Sequence, residues 1–303
     1  MTNTIPIPNE AVRLLLAGVV DYAGLFPPSK LSMSEAVLNY AMYKNSNYNW
    51  MLGRFILPVG RLDEFLDSAK DFFARDAKGA WRLSVIAGDN IFETVRLVEN
   101  FNLNNAPGVI CDTLEIKVDS QEQIVTFTNA IPENFTNYFE VPLNEELPDL
   151  ISTLAINGQR AKIRTGGITP DLFPKTSSII RFIKTCLSAN VPFKATAGLH
   201  HPLRCFMPLT YEANAPKGTM HGFLNVFLTA GFAREGFKPE VLEEVMEDEF
   251  AESFDFHEGG VSWHQDFMLT TPQLVQLRKN GIISFGSCSF DEPIADLEKI
   301  GIL

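Results

Sequence analysis

A chain of 303 residues, 46% hydrophobic and 20% charged, has enough apolar content for a sizeable core and is too apolar to stay disordered. Its formal net charge of −12 argues against nucleic acid or an anionic membrane as partner, since both reward a basic face. A small anionic metabolite held in a local basic pocket stays compatible with that charge, and four cysteines without CxxC spacing argue against a disulfide framework or thiolate metal site.

In chain order, residues 14–20 form a short apolar run behind Glu10 and two prolines. It is too short to span a membrane and poorly shaped as a signal peptide, so a cytoplasmic protein is expected. Strands are predicted at 19–24, 53–59, 81–87, 113–118, 137–142, 160–165, 192–198 and 282–286. Helical patterns lie between most of them, at 34–44, 62–74, 91–101, 121–130, 147–156 and 177–189. Ser32 and Glu35 have the capping-box order before the first of these helices. Strands alternating with helices predict βαβ units and a parallel sheet. Eight strands favour closure, so residues 1–303 are read as one α/β domain, a (β/α)8 TIM-type barrel. An open doubly wound sheet is the runner-up.

The rhythm breaks between the seventh and eighth strands, where an insertion holds helical patterns at 221–234 and 239–251. Residues 261–263 are either an additional strand or the true eighth one. The 24 phenylalanines are read as core packing.

Alternation in the middle strands carries the functional signal. Ala161 and Ile163 oppose Lys162 and Arg164; Phe193 and Ala195 oppose Lys194 and Thr196; Glu115 and Lys117 share one face, and Glu140 takes the corresponding face of its strand. In a closed barrel that face is the interior, which branched apolar residues usually fill. Parallel barrels place their chemistry at the C-terminal strand ends, so Glu115, Lys117, Glu140, Lys162, Arg164 and Lys194 are expected to converge on one pocket. A lysine crowded by other cations in a dry pocket is a candidate Schiff-base nucleophile, and an arginine suits bidentate binding of carboxylate or phosphate. The competing interpretation is a buried ion-pair lattice without chemistry.

The glycine-containing ends Gly166-Gly167, Gly198 and Gly286-Ser287 could bring backbone N–H groups close to an anion, or could simply serve tight turns. Asp21 is placed to reach the pocket from the first strand, with turn bonding an equal possibility. His200 and His201 follow the seventh strand, where an acid–base pair or metal ligands could sit. With His221 and Glu115 or Glu140 they could supply a zinc site, which is the basis of an alternative metal-dependent hydrolase or lyase. No HxH or HExxH spacing is present, so neither a dedicated metal site nor a cofactor is predicted. His257 and His264 are read as surface or packing residues, and Cys288 as a buried thiol without a base partner.

Residues 162–167 (KIRTGG) and 193–198 (FKATAG) resemble the paired sixth and seventh strands of deoxyribose-phosphate-type class I aldolases. The resemblance implies that Lys162 forms the Schiff base and that Lys194 tunes it, while Lys117 stands where that family carries an aspartate. Over most of the chain, KIRTGG, FKATAGLHHP and the terminal FGSCSFDEP resemble a family of uncharacterised bacterial proteins that brings no settled activity. Together these features suggest an aldolase-like lyase acting on a small phosphorylated or carboxylated carbonyl compound. A non-catalytic anion-binding protein on the same barrel is the other alternative. Homo-oligomers are common among such proteins and one is compatible with this chain.

Overall fold

The structure, a computed structural model, describes residues 8–73 and 79–303. Helix α1 (Glu10–Leu16) leads into β1 (Val20–Tyr22), α2 (Met33–Lys44), β2 (Leu52–Pro58), α3 (Leu62–Ala69), β3 (Trp81–Ile86), α4 (Ile91–Asn105) and β4 (Val109–Lys117). There follow α5 (Gln121–Ala130), β5 (Thr136–Glu140), α6 (Leu147–Ile156), β6 (Arg160–Arg164), α7 (Thr176–Ser188) and β7 (Phe193–Thr196). The longest interruption contains β8 (Cys205–Pro208), β9 (Lys217–Met220), α8 (Phe223–Arg234), α9 (Pro239–Glu247), β10 (Phe254–His257), β11 (Gly260–Trp263) and β12 (Phe267–Thr270). The chain then returns through α10 (Thr271–Asn280) to β13 (Ile282–Ser287) and α11 (Asp291–Lys299).

Strands β1 to β7 and β13 close a parallel barrel in the order β1-β13-β7-β6-β5-β4-β3-β2. This is the expected (β/α)8 architecture, and the open sheet is set aside. Residues 261–263 belong to β11, the middle of an antiparallel three-stranded sheet; the eighth barrel strand is β13. Three helices escape the sequence reading. The start of α1 was obscured by the apolar run that follows it, while α10 buries only Leu274 and Leu277 and α11 only Pro293, Ile294 and Leu297, too few apolar residues to give a periodic signal. Ala74, the expected end of the second strand-linking helix, lies outside the described residues. Among the described residues no helix is long and apolar enough to cross a membrane.

Local chemistry explains the frame. The capping box at α2 forms as expected: Ser32 Oγ accepts from the Glu35 amide at 3.3 Å and the Ser32 amide donates to Glu35 Oε2 at 2.9 Å. On the barrel's outer face, Tyr22, Phe55 and Trp81 pack against Tyr40 of α2 and Phe65 of α3, with the Tyr40–Trp81 centroids 4.8 Å apart. Phe285 stacks on Phe223 of α8 at 4.8 Å, and many of the phenylalanines serve the core, with Phe72, Phe92, Phe206 and Phe250 exposed. Helix α8 is apolar on every side because it is covered on every side, by β13, α7, α9 and α10.

Asn225 and Thr229 are the fully buried polar residues of α8, and Asn225 is the one that carries hydrogen bonds to neighbouring segments. Its amide donates to the carbonyls of Val245 (2.7 Å) and Asp248 (2.8 Å), and its oxygen accepts from the Arg204 amide at 2.9 Å. It thereby ties α8 to the end of α9 and to the loop after β7. Asn225→Ala is expected to lower stability by about 1–3 kcal/mol by leaving those backbone groups unpaired in a dry site; urea unfolding measures it.

Two irregularities position the interior. Register between β1 and β2 shifts from Val20↔Leu52 to Tyr22↔Phe55. Within that shift a Cβ on Gly53 would lie 2.3 Å from Asp21 Oδ1, so only glycine leaves room for the carboxylate there. Between β3 and β4 the register moves from Leu83↔Cys111 to Ser84↔Thr113, leaving Asp112 as an extra residue. Asp112 joins Arg54 (2.7 Å) and Arg82 in an ion cluster near the N-terminal ends of the strands.

Candidate active site

Above that cluster the barrel interior is built from alternate residues of seven strands. Lys194 of β7 lies deepest and is 1% exposed. Its ammonium donates to Asp21 Oδ2 at 2.6 Å and to Glu115 Oε1 at 2.7 Å, and lies 5.3 Å from the centre of the Tyr138 ring. Ser284 donates to Asp21 Oδ2 and Ser84 to Glu115 Oε1, each at 2.7 Å; the Arg54 amide donates to Asp21 Oδ1 at 2.8 Å. Burial disfavours the Lys194 ammonium, but Asp21 and Glu115 outweigh it and hold the lysine above its ordinary range. Burial likewise disfavours the Glu115 carboxylate, and Lys162 and Lys194 overcome it, keeping that group far below the usual carboxylate range.

Lys162 of β6 stands one level nearer the mouth. Its ammonium is 2.8 Å from Glu115 Oε2 and 2.7 Å from Glu140 Oε2. These are charge contacts of poorer alignment than those of Lys194; among the described residues Glu115 Oε2 has no properly aligned hydrogen-bond donor. Arg164, exposed at the end of β6, donates through Nε to Glu140 Oε1 at 3.1 Å. Among the described residues its terminal Nη groups have no protein partner. Glu140, despite the upward pressure of burial, is brought below its ordinary range by Lys162 and Arg164.

A cavity of about 290 Å³ opens over this network. Glu115, Lys162, Arg164, Gly167, Thr196, His200 and Gly286 reach it, beside apolar walls from Phe26, Ile56, Ile86, Ile168 and Leu172. The other expected residues stand elsewhere. Asp21 and Lys194 lie below the cavity, in contact with each other. Lys117 shares the inward face of β4 but is exposed at its last residue and lines no part of the cavity. Gly166 and Gly198 do not line the cavity. A Cβ on Gly198 would lie 2.7 Å from the Gly166 Cα, so the glycines permit backbone-to-backbone packing beneath Phe173. Ser287 is buried and accepts from the Ser289 amide at 3.3 Å. The expected excess of positive charge is corrected too: Lys162, Lys194 and Arg164 are matched by Asp21, Glu115 and Glu140.

The histidines diverge. His201 pairs with Asp296 at 2.5 Å, His221 bonds the Pro174 carbonyl at 2.8 Å, and only His200 lines the cavity. They form no joint metal site with Glu115 or Glu140, and no group of three potential metal-ligating side chains gathers among the described residues. His257 bonds Ser262 at 3.3 Å and His264 faces Asp248 at 3.5 Å, in packing and surface roles as expected.

Sequence reasoning missed the partner of Cys288. Its thiol is 3.9 Å from His200 Nδ1, which is also 3.3 Å from Glu292 Oε2. The turn that brings His200 there uses two successive left-handed residues, Ala197 (φ 62°) and Gly198 (φ 76°). Burial disfavours the His200 imidazolium, but Cys288 and Glu292 win and push it up to about 9. The sign follows: the pairing stabilises the fold fully below the unfolded histidine value of roughly 6.5 and is lost as pH rises through about 9. An NMR titration of the His200 ring should give a midpoint near 9; a midpoint near roughly 6.5 contradicts the pairing.

No protein-family model and no curated protein matches the chain.

Proposed function

We propose that the protein is a barrel lyase of the class I aldolase type, acting through a Lys162 imine on a small carbonyl compound bearing a carboxylate or phosphate. The observation that supports this most is the contrast between the two lysines. Lys194 is locked by two aligned hydrogen bonds below the cavity, whereas Lys162 faces the cavity with two carboxylates at 2.7–2.8 Å and a looser hold. A nucleophilic amine needs such a position: accessible to a carbonyl carbon, and beside a group that takes its proton.

In this reading the Lys162 ammonium passes a proton to Glu140, and the freed amine attacks the carbonyl carbon. Glu140 returns the proton to the carbinolamine oxygen as water leaves and the imine forms. Glu115, held more firmly ionised by two lysines, orients the amine and stabilises the iminium charge. Lys194 keeps Glu115 in place. In a β-hydroxy carbonyl substrate, Glu140 then takes the β-hydroxyl proton, the carbon–carbon bond breaks and one fragment leaves as an aldehyde. The bond electrons pass to the iminium to give an enamine. Glu140 returns the proton to the enamine carbon and water hydrolyses the resulting imine, freeing Lys162. Arg164, with its free Nη groups at the rim, binds the substrate's anion. The apolar walls suit the carbon skeleton of a short substrate.

An enamine intermediate exchanges protons at the carbon next to the carbonyl. Incubation with a panel of short aldehydes and ketones carrying carboxylate or phosphate groups in D2O, followed by proton NMR, should show protein-dependent loss of that C–H signal. If no member of a broad panel exchanges above the protein-free rate, the imine mechanism is abandoned.

A further inference from the structure

We infer that Cys288 and His200 form a second reactive centre in the same cavity, a covalent site for small α,β-unsaturated carbonyl compounds. The inference stands apart from the imine reading, because it uses neither lysine.

The geometry begins with the fold. Cys288 follows the last residue of β13 and His200 sits beyond the left-handed turn after β7, so two neighbouring strands deliver a thiol and an imidazole to one wall. Both line the 290 Å³ cavity. Sγ lies 3.9 Å from His200 Nδ1 and 3.8 Å from the Tyr211 hydroxyl, while Glu292 holds the same Nδ1 at 3.3 Å. Ser29 donates to the Cys288 carbonyl at 3.2 Å and fixes the backbone. The titratable groups facing the thiol are therefore His200, Tyr211 and Glu292, with Tyr22 further off. Burial raises a thiol, yet the imidazolium beside Cys288 reverses this and brings it below the ordinary thiol value.

The other cysteines lack such a partner. Cys111 and Cys186 are enclosed by the core, and burial raises both. Cys205 is more exposed than Cys288, but burial, with Asp296, Glu249 and Glu292 nearby, pushes it up to about 12. Reactivity and exposure are thus arranged in opposite order at Cys205 and Cys288, which makes the pair an internal control.

The step balances without a redox partner or a leaving group. The Cys288 thiolate attacks the β-carbon, forming the C–S bond. The π electrons of the C=C bond move through the α-carbon to the carbonyl oxygen, and the His200 Nδ1 proton is delivered to the α-carbon. The net change is addition of S–H across the double bond. The adduct occupies the cavity into which Lys162 projects.

The test treats the full chain with substoichiometric acrylamide at neutral pH, quenches at intervals, and maps cysteine adducts by mass spectrometry. Cys288 should label at least about tenfold faster than Cys205, as expected for a thiol with thiolate character against one without it. Equal rates, or Cys205 labelling first, overturn the inference. A sample unfolded in guanidinium gives the intrinsic rates, which should be equal. His200→Asn, examined as folded protein by circular dichroism, should slow Cys288 by roughly tenfold or more; an unchanged rate removes His200 from the site. Should that variant not fold, the comparison of Cys288 with Cys205 in the native chain decides alone.

Discussion

Glu115→Gln is expected to destabilise the protein by about 3–5 kcal/mol, the cost of removing one partner from a buried ion pair. Glu115 is 2% exposed and lies between the two lysines, with Lys194 on Oε1 and Lys162 on Oε2. After the substitution Lys194 retains Asp21 and Lys162 retains Glu140, but the buried interior, which screens charge poorly, changes from charge balance to one excess cation. The Gln amide also presents donors where the lysines need acceptors. Lys194→Met alone leaves the opposite excess, with Asp21 keeping only the Ser284 hydroxyl and the Arg54 amide. Combining the two restores neutrality, so the double variant should cost roughly 1–3 kcal/mol less than the sum of the single ones. Urea unfolding of the four proteins measures this; strict additivity would mean that the carboxylate and Lys194 do not interact. Because Glu115 is held below its ordinary range, its contribution is present above roughly pH 4.3 and is lost as pH falls further. The gap between wild type and Glu115→Gln should therefore narrow in acid.

Lys162→Met is expected to separate chemistry from stability. The imine cannot form without the amine, so proton exchange next to a substrate carbonyl should fall by on the order of 10³-fold or more. Stability should fall less than in Lys194→Met. Lys162 borders the cavity and holds its carboxylates without aligned hydrogen bonds, and its loss leaves Glu115 with Lys194 and Glu140 with Arg164. Lys194→Met removes two aligned hydrogen bonds from the driest part of the barrel. If the two variants lost stability equally and exchange survived in Lys162→Met, the division of labour between the lysines would be wrong.

Much of this arrangement could be read along the chain because strand alternation is a local property. The inward face shared by Lys162, Arg164 and Lys194 follows from period-two placement of Ala161, Ile163, Phe193 and Ala195 against them, and the register Lys162↔Lys194 realises it. The barrel itself followed from repeated βαβ units. What the sequence hid depends on long-range register. Asp21 meets Lys194 across 173 residues, through a strand irregularity that needs Gly53. The matching carboxylates were visible singly and an ion-pair lattice was an open alternative, but which carboxylate bridges which cations was not legible. A charge set that reads as a basic mouth is, in the folded chain, a balanced lattice with one accessible lysine. Glycines at strand ends carried an ambiguous signal: Gly167 and Gly286 border the cavity, whereas Gly166 and Gly198 serve close packing. The Cys288–His200 contact joins residues 88 apart, and no spacing rule connects them.

Borohydride trapping tests the Lys162 imine most directly. The protein is incubated with short aldehydes and ketones bearing an anionic group, reduced, digested and mapped by mass spectrometry. The expected result is an irreversible adduct on the peptide containing Lys162, absent from Lys162→Met and present in Glu292→Gln. Adducts spread over surface lysines, placed on Lys194, or missing from Lys162 across the whole panel would contradict the proposed chemistry.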